Sequence, residues 1–138
     1  MILTRTSEYA LKILSYMATN EEDLFSAKLL HENLGIPKRY LGRLLTDLTK
    51  KGFITSTLGR NGGYIIGKEL NEIHLSDIID AVEGFDSFDR CIVGKYQCEL
   101  NNPCPMHAIW ADSKEKILNT FKNTTLADLE KQKSKTLV

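Results

Sequence analysis

Apolar residues near the start of the chain recur as Tyr9, Ala10, Ile13, Leu14, Met17 and Ala18. That spacing lines one face of a helix and predicts one over about Arg5–Thr19. Glu21, Glu22 and Asp23 break the pattern. Ser26 then suits the N-cap of a short helix to about Asn33, with Ala27, Leu29 and Leu30 apolar and Gly35 at its C-terminal cap. Pro37 opens a third helix, where its fixed φ fits the first turn. Leu41, Leu44, Leu45 and Leu48 form the buried stripe of that helix, which Gly52 ends after about Lys51.

The period then changes. Phe53–Ser56 and Tyr64–Ile66 read as two short strands around a glycine-rich tip, Leu58-Gly59-Arg60-Asn61-Gly62-Gly63. Two helices joined by a tight glycine turn and followed by a two-stranded hairpin make a winged helix-turn-helix. Downstream, Leu75, Ile78, Ile79 and Val82 predict a helix that Gly84 stops. A long helix is expected from Pro105 to about Lys122, with Met106, Ile109, Trp110, Ile117 and Phe121 on one stripe. So small a domain cannot hide a tryptophan and a phenylalanine on such a stripe unless something covers it. Ile109, Trp110, Ile117 and Phe121 are therefore expected at a homodimer interface; a helix packed on its own core would show the same pattern. Thr125 suits the cap of a last helix, Leu126–Lys133. The fold class is thus mainly α: a winged helix-turn-helix with a small two-stranded wing and a long C-terminal dimerisation helix. Residues 1–83 form the DNA-binding region, 84–104 a cysteine-bearing loop, and 105–138 the dimerisation helix and tail, all within one compact dimeric domain.

Length and composition agree with a single domain of 138 residues that needs no disulfide staples. The opening has Arg5 and Glu8 where a secretory signal needs an apolar run, and no stretch is long and apolar enough for a membrane span. A cytoplasmic protein without membrane association is expected. Net charge is zero, yet it is segregated. Between Pro37 and Gly63, six basic residues (Lys38, Arg39, Arg43, Lys50, Lys51, Arg60) face the single acid Asp47, a net +5 that leaves −5 for the remainder. Such a window suits a basic helix in the major groove, about 12 Å wide, with a wing arginine in the adjacent minor groove. A solvated helix face would look the same by charge alone. The residues expected on double-stranded DNA are Lys38, Arg39, Tyr40 and Arg43 of the basic helix and Arg60, Asn61 and Gly62 of the wing. Gly42 is out of place in mid-helix, and either close approach to DNA or simple drift accounts for it.

All three cysteines, Cys91, Cys98 and Cys104, fall in one stretch, with His107 three positions after the last. An odd number argues against a disulfide framework. The neighbours Arg90, Lys95, Gln97, Glu99, Asn101 and Asn102 do not make an apolar core. The tight C-x2-C knuckles of structural zinc folds are absent. Wide spacing suits an iron–sulfur cluster, which takes thiolates and accepts an imidazole in place of one. Cys104 stands near the start of the long helix, whose N-terminal N–H groups and dipole favour thiolate. Glu8 is the other candidate ligand, if the first helix of one subunit reaches the loop of its partner.

Taken together these segments resemble the IscR/NsrR-type bacterial transcription regulators. The likeness runs over nearly the whole chain: LTRTSEYALKIL, IPKRYLGRLLTDLTKKGFITS, GRNGGY, IHLSDIIDAVEG, CPMHAIW and NTTLADL. It implies a homodimeric repressor or activator on a palindromic operator, with Cys91, Cys98 and Cys104 holding a 2Fe-2S or 4Fe-4S cluster that senses cluster supply, iron, nitric oxide or redox state. His107 matches the fourth ligand of the IscR branch. Glu8 stands where the NsrR branch places a carboxylate from the partner subunit. Two departures accompany the likeness: the Cys91–Cys98 spacing is one residue longer than the common five, and Leu58 replaces the usual arginine before the first wing glycine. The alternative is a winged-helix regulator without a cluster, which uses a thiol switch, a small molecule or a partner protein as signal. No paired acid and base, no activated nucleophile and no phosphate-cradling loop speaks for an enzyme.

Overall fold

The computed structural model describes residues 3–20, 23–84 and 105–136. Helix α1 (Arg5–Met17) begins at Thr4, whose hydroxyl accepts from the Ser7 N–H at 3.4 Å, and tails into a 3-10 turn at Ala18–Asn20. Helix α2 (Ala27–Leu34) is capped by Ser26, which accepts from the Leu29 N–H at 3.0 Å. Gly35 ends it in the left-handed region at φ 69°, a conformation that favours glycine. Helix α3 (Lys38–Lys50) follows directly, with Pro37 at its N-cap and the four expected leucines buried. Strands β1 (Ile54–Thr57) and β2 (Gly63–Ile66) pair antiparallel, Ile54 opposite Ile66 and Thr57 opposite Gly63. Helix α4 spans Leu75–Glu83, α5 His107–Asn123 and α6 Leu126–Thr136. The expected mainly α winged helix is what the chain forms, with element ends within two to three residues of their expected positions.

The core lies where α1, α3 and α4 meet. Ala10, Ile13, Leu14 and Met17 of α1 are fully buried, as are Leu45 and Leu48 of α3 and Ile78 and Ile79 of α4. Ile36 plugs the α2–α3 turn and is also fully buried; beside it the His31 ring nitrogen Nδ1 lies 2.6 Å from the Ile36 carbonyl oxygen. The wing is anchored to the helices by a short antiparallel bridge, in which Phe25 and Tyr64 exchange two backbone hydrogen bonds of 2.8 Å.

The C-terminal helices belong to the same body. His74 and Thr125 form an antiparallel bridge, with Leu75 N–H donating to the Thr124 carbonyl at 2.9 Å and Leu126 N–H to the Ile73 carbonyl at 3.0 Å. Leu126 is fully buried in the common core, and the Lys133 ammonium donates to the Ser15 carbonyl on α1 at 2.8 Å. Thr125 and Asp128 cap α6 reciprocally: the Thr125 N–H donates to the Asp128 carboxylate at 2.9 Å and the Asp128 N–H to the Thr125 hydroxyl at 3.2 Å. No helix among the described residues is long and apolar enough to cross a membrane.

Candidate nucleic-acid interface and sensor region

The α3 surface is divided by its own periodicity. Leu41, Leu44, Leu45 and Leu48 turn inward, which leaves Lys38, Arg39, Gly42, Arg43, Thr46 and Lys50 exposed on the opposite side. Among the described residues, Lys38, Arg39, Arg43 and Arg60 have no ion-pair partner, so their charge is free to meet phosphate. No side chain caps α3, and its first N–H groups remain open at the same end as Lys38 and Arg39. A recess of about 260 Å³ between α2 and α3 is lined by Ala27, Lys28, Lys38 and Leu41. Lys28 was not among the expected contacts, because its surroundings acquire a second basic residue only when the turn brings α2 against α3.

Tyr40 has a different setting from its basic neighbours. It is half-buried, its ring meets Tyr9 edge-on at 5.4 Å between centroids, and its hydroxyl shares a hydrogen bond with Thr6. Its packing role joins α3 to α1, whatever its hydroxyl meets outside. Arg43 and Asp47 instead line a cavity of about 180 Å³, together with Thr6, Tyr40, Leu44 and Val82.

The wing tip presents Leu58, 95% exposed, with Arg60 and Asn61 exposed beside it. Gly62 is a geometric necessity: a Cβ there would stand 2.2 Å from the Thr57 carbonyl oxygen. Gly63 is constrained as well, since its Cβ would lie 2.9 Å from the Phe25 carbonyl oxygen across the bridge that anchors the wing. Gly42 is the opposite case. Among the described residues, nothing outside its own helical backbone and its chain neighbours lies within 4 Å of a Cβ built on it.

Cys91, Cys98 and Cys104 lie outside the described residues. The stretch that carries them leaves from Glu83–Gly84 and returns at Pro105. Helix α5 starts at His107 rather than at Pro105, with Met106 at its N-cap and the Trp110 N–H bonded to the Met106 carbonyl at 2.8 Å. Pro105 and Met106 instead form a turn, and His107 is the first helical residue. Glu8 sits half-buried in the first turn of α1. Among the described residues no three His, Cys, Asp or Glu side chains are grouped to hold a metal.

The apolar stripe of α5 is split. Phe121 packs on the common core, and Trp110 and Ile117 are half-buried. Ile109 is 66% exposed and Met106 is exposed. The Trp110 indole nitrogen is shielded from solvent without an acceptor among the described residues.

Three comparisons place this geometry among known proteins. A family model described as Rrf2, an iron-dependent transcriptional regulator, matches residues 3–132. The chain is 33% identical over 130 residues to the HTH-type transcriptional regulator IscR of Klebsiella pneumoniae strain 342, covering 94% of this chain and 79% of that one. Among solved structures it is similar to T. potens IscR, at 25% identity and TM-score 0.78, over 100% of this chain and 92% of the other. It is also similar to an oxidized form of Staphylococcus aureus CymR, at 25% identity and TM-score 0.75, over 94% and 95% of the two chains.

Proposed function

Because the chain belongs to the Rrf2 family of transcriptional regulators, we propose that it is a homodimeric winged-helix regulator that reads a palindromic operator with α3 and the wing, under the control of its three cysteines. It is a DNA-binding regulator and not an enzyme, as its relatives are. The unpaired basic side of α3 carries the DNA reading: Lys38, Arg39 and Arg43 enter or flank the major groove, and Arg60 and Asn61 follow the adjacent minor groove. Tyr40 and Gly62 complete the proposed contact set, with the packing and hairpin roles described above.

The donor set fits an iron–sulfur cluster: three thiols in one short stretch, and a fourth group from His107 or from Glu8 of the partner subunit. When bound, such a centre supplies one-electron redox chemistry and lability toward iron loss, and either property reports on the cell. The chain's own part is to hold it with Cys91, Cys98 and Cys104 and to convert its loss into a shift of α3. The exposed Ile109 and Met106 on one side of α5 support a second copy packed along that helix.

Anaerobic purification with iron and sulfide analysis tests the reading. Iron and sulfide bound in stoichiometric amounts, with visible absorption that changes in His107→Ala or in Glu8→Ala, is the expected result and identifies the fourth ligand. A colourless protein with three titratable thiols would move the assignment to a thiol switch. That second reading draws support from the likeness to a CymR solved in an oxidized form.

A further inference from the structure

Ser7 is the one polar side chain in the buried core among the described residues, and it is fully buried. Packing alone does not call for it, since Ala10 on the same helix is equally buried without a hydroxyl. A buried hydroxyl without a partner is destabilising, so the identity of residue 7 is tied to its acceptor. That acceptor is Glu83 Oε1, to which the Ser7 hydroxyl donates from the far end of the sequence. Glu83 is the last residue of α4; after it the chain turns at Gly84 (φ 79°) into the stretch that carries the cysteines.

The preceding residue of α1 is bonded the other way. Thr6 shares a hydrogen bond with the Tyr40 hydroxyl, near the start of α3, and the Tyr40 ring packs against Tyr9. Two consecutive residues of one helical turn therefore hold, respectively, the root of the cysteine stretch and the DNA-reading helix. Beside this tie, Val82 of α4 faces Arg43, Leu44 and Asp47 of α3 across the cavity of about 180 Å³. The cavity opens beside the packed contact of the two helices, in which Leu44, Leu48 and Ile78 are buried.

We propose that Ser7 and Thr6 are positioning residues that transmit movement of the C-terminal end of α4 to the recognition helix, through the bonds Glu83–Ser7 and Thr6–Tyr40. The inference deepens the sensing reading and rests on it for the source of the movement. When the C-terminal end of α4 moves, Glu83 acts on Ser7, and the same turn of α1 re-aims α3 through Tyr40. Lys38, Arg39 and Arg43 are then presented differently to the duplex. Coupling of this kind is a difference in DNA affinity between two states of one bistable element.

Full-length Ser7→Ala, Glu83→Ala, Glu83→Gln and Thr6→Val are compared with wild type in two measurements. The first is amide hydrogen exchange over residues 38–50. The second is DNA affinity of anaerobically purified protein before and after exposure to air. Ser7→Ala, Glu83→Ala and Thr6→Val are expected to exchange faster in the first half of α3. They should also bring a wild-type affinity ratio of about fivefold or more down to near unity, with the tighter state still binding DNA. Glu83→Gln keeps an acceptor oxygen and should retain both the protection and the ratio, which a merely structural effect of altered charge would not predict. Unchanged exchange in Ser7→Ala and in Thr6→Val would overturn the proposal, whatever the wild type does. If Ser7→Ala does not fold, Thr6→Val decides alone. A wild type with equal affinity before and after air, alongside loosened α3 in the variants, would instead refute the sensing reading and leave the tie standing.

Discussion

Glycine 42 and glycine 62 look alike in the sequence and differ in what requires them. At Gly62 the requirement is internal, because the Thr57 carbonyl occupies the space a Cβ would take. Gly62→Ala should therefore lower the melting temperature and weaken DNA binding through a distorted wing. At Gly42 no other described part of the protein fills the space, and the residue is exposed on the basic side of α3. Gly42→Ala should raise stability by up to about 1 kcal/mol, since alanine is the better helix former. We expect the same change to weaken DNA binding, because the remaining reason for glycine there is close approach of the duplex. Thermal melts and fluorescence anisotropy on one preparation separate the two effects; unimpaired binding by the stabilised variant would mean that drift, not contact, placed the glycine. The wing carries a second residue-scale test. Arg60→Ala should weaken binding at all sequences alike and reduce the slope of log affinity against log salt by about one. An unchanged slope would show that Arg60 does not reach phosphate.

At the scale of elements, α6 shows how a local signal becomes a pH response. The Thr125 backbone N–H, and then its hydroxyl, hold the Asp128 carboxyl below its ordinary value of 3.8. A carboxyl lowered on folding contributes stability that is complete above its unfolded value and is lost as pH falls through the folded one. The cap should therefore weaken below about pH 4, in the acid region below its ordinary value, and Asp128→Asn should remove that part of the acid dependence. Thr125→Ala should cost about 1 kcal/mol at neutral pH, as loss of an N-cap does, with the melting temperature as the measurement. Elements of this kind were legible in the sequence because their signals are local: Ser26, Gly35, Pro37 and Gly52 punctuate the helices, and the leucines of α3 set its buried face. The start of α5 was not, because Pro105 suits a first helical turn as well as a turn before one; the structure puts a turn at Pro105 and Met106 and begins the helix at His107. Its place on the basic helix makes Tyr40 an expected DNA contact. Its tie to Thr6 joins residues far apart in the chain, and no periodicity reports such a pair. The link between Ser7 and Glu83 was illegible for the same reason.

For the whole molecule, the decisive question is what lies along α5. The stripe read from the sequence as one surface is two: Phe121 serves the protein's own core, while Met106 and Ile109 remain exposed. Ile109→Glu should leave the fold intact, because the side chain is largely solvated within one copy, and should dissociate the dimer. Sedimentation at micromolar concentration reads this directly. The variant should also lose most of its operator affinity, since paired recognition helices must sit about one duplex turn, roughly 34 Å, apart. A dimeric Ile109→Glu protein would place the interface elsewhere.

The bridge between His74 and Thr125 has a consequence for how the sensor stretch can change. It pins the chain by backbone hydrogen bonds on either side of the segment that holds α4, the cysteines and α5. Closure entropy grows only logarithmically, about 0.6 kcal/mol for each doubling of length. The extra residue between Cys91 and Cys98 is therefore almost free in folding terms. A change of length between the cysteines should therefore leave the melting temperature of the winged helix nearly unchanged, whatever it does to the cysteines' own chemistry.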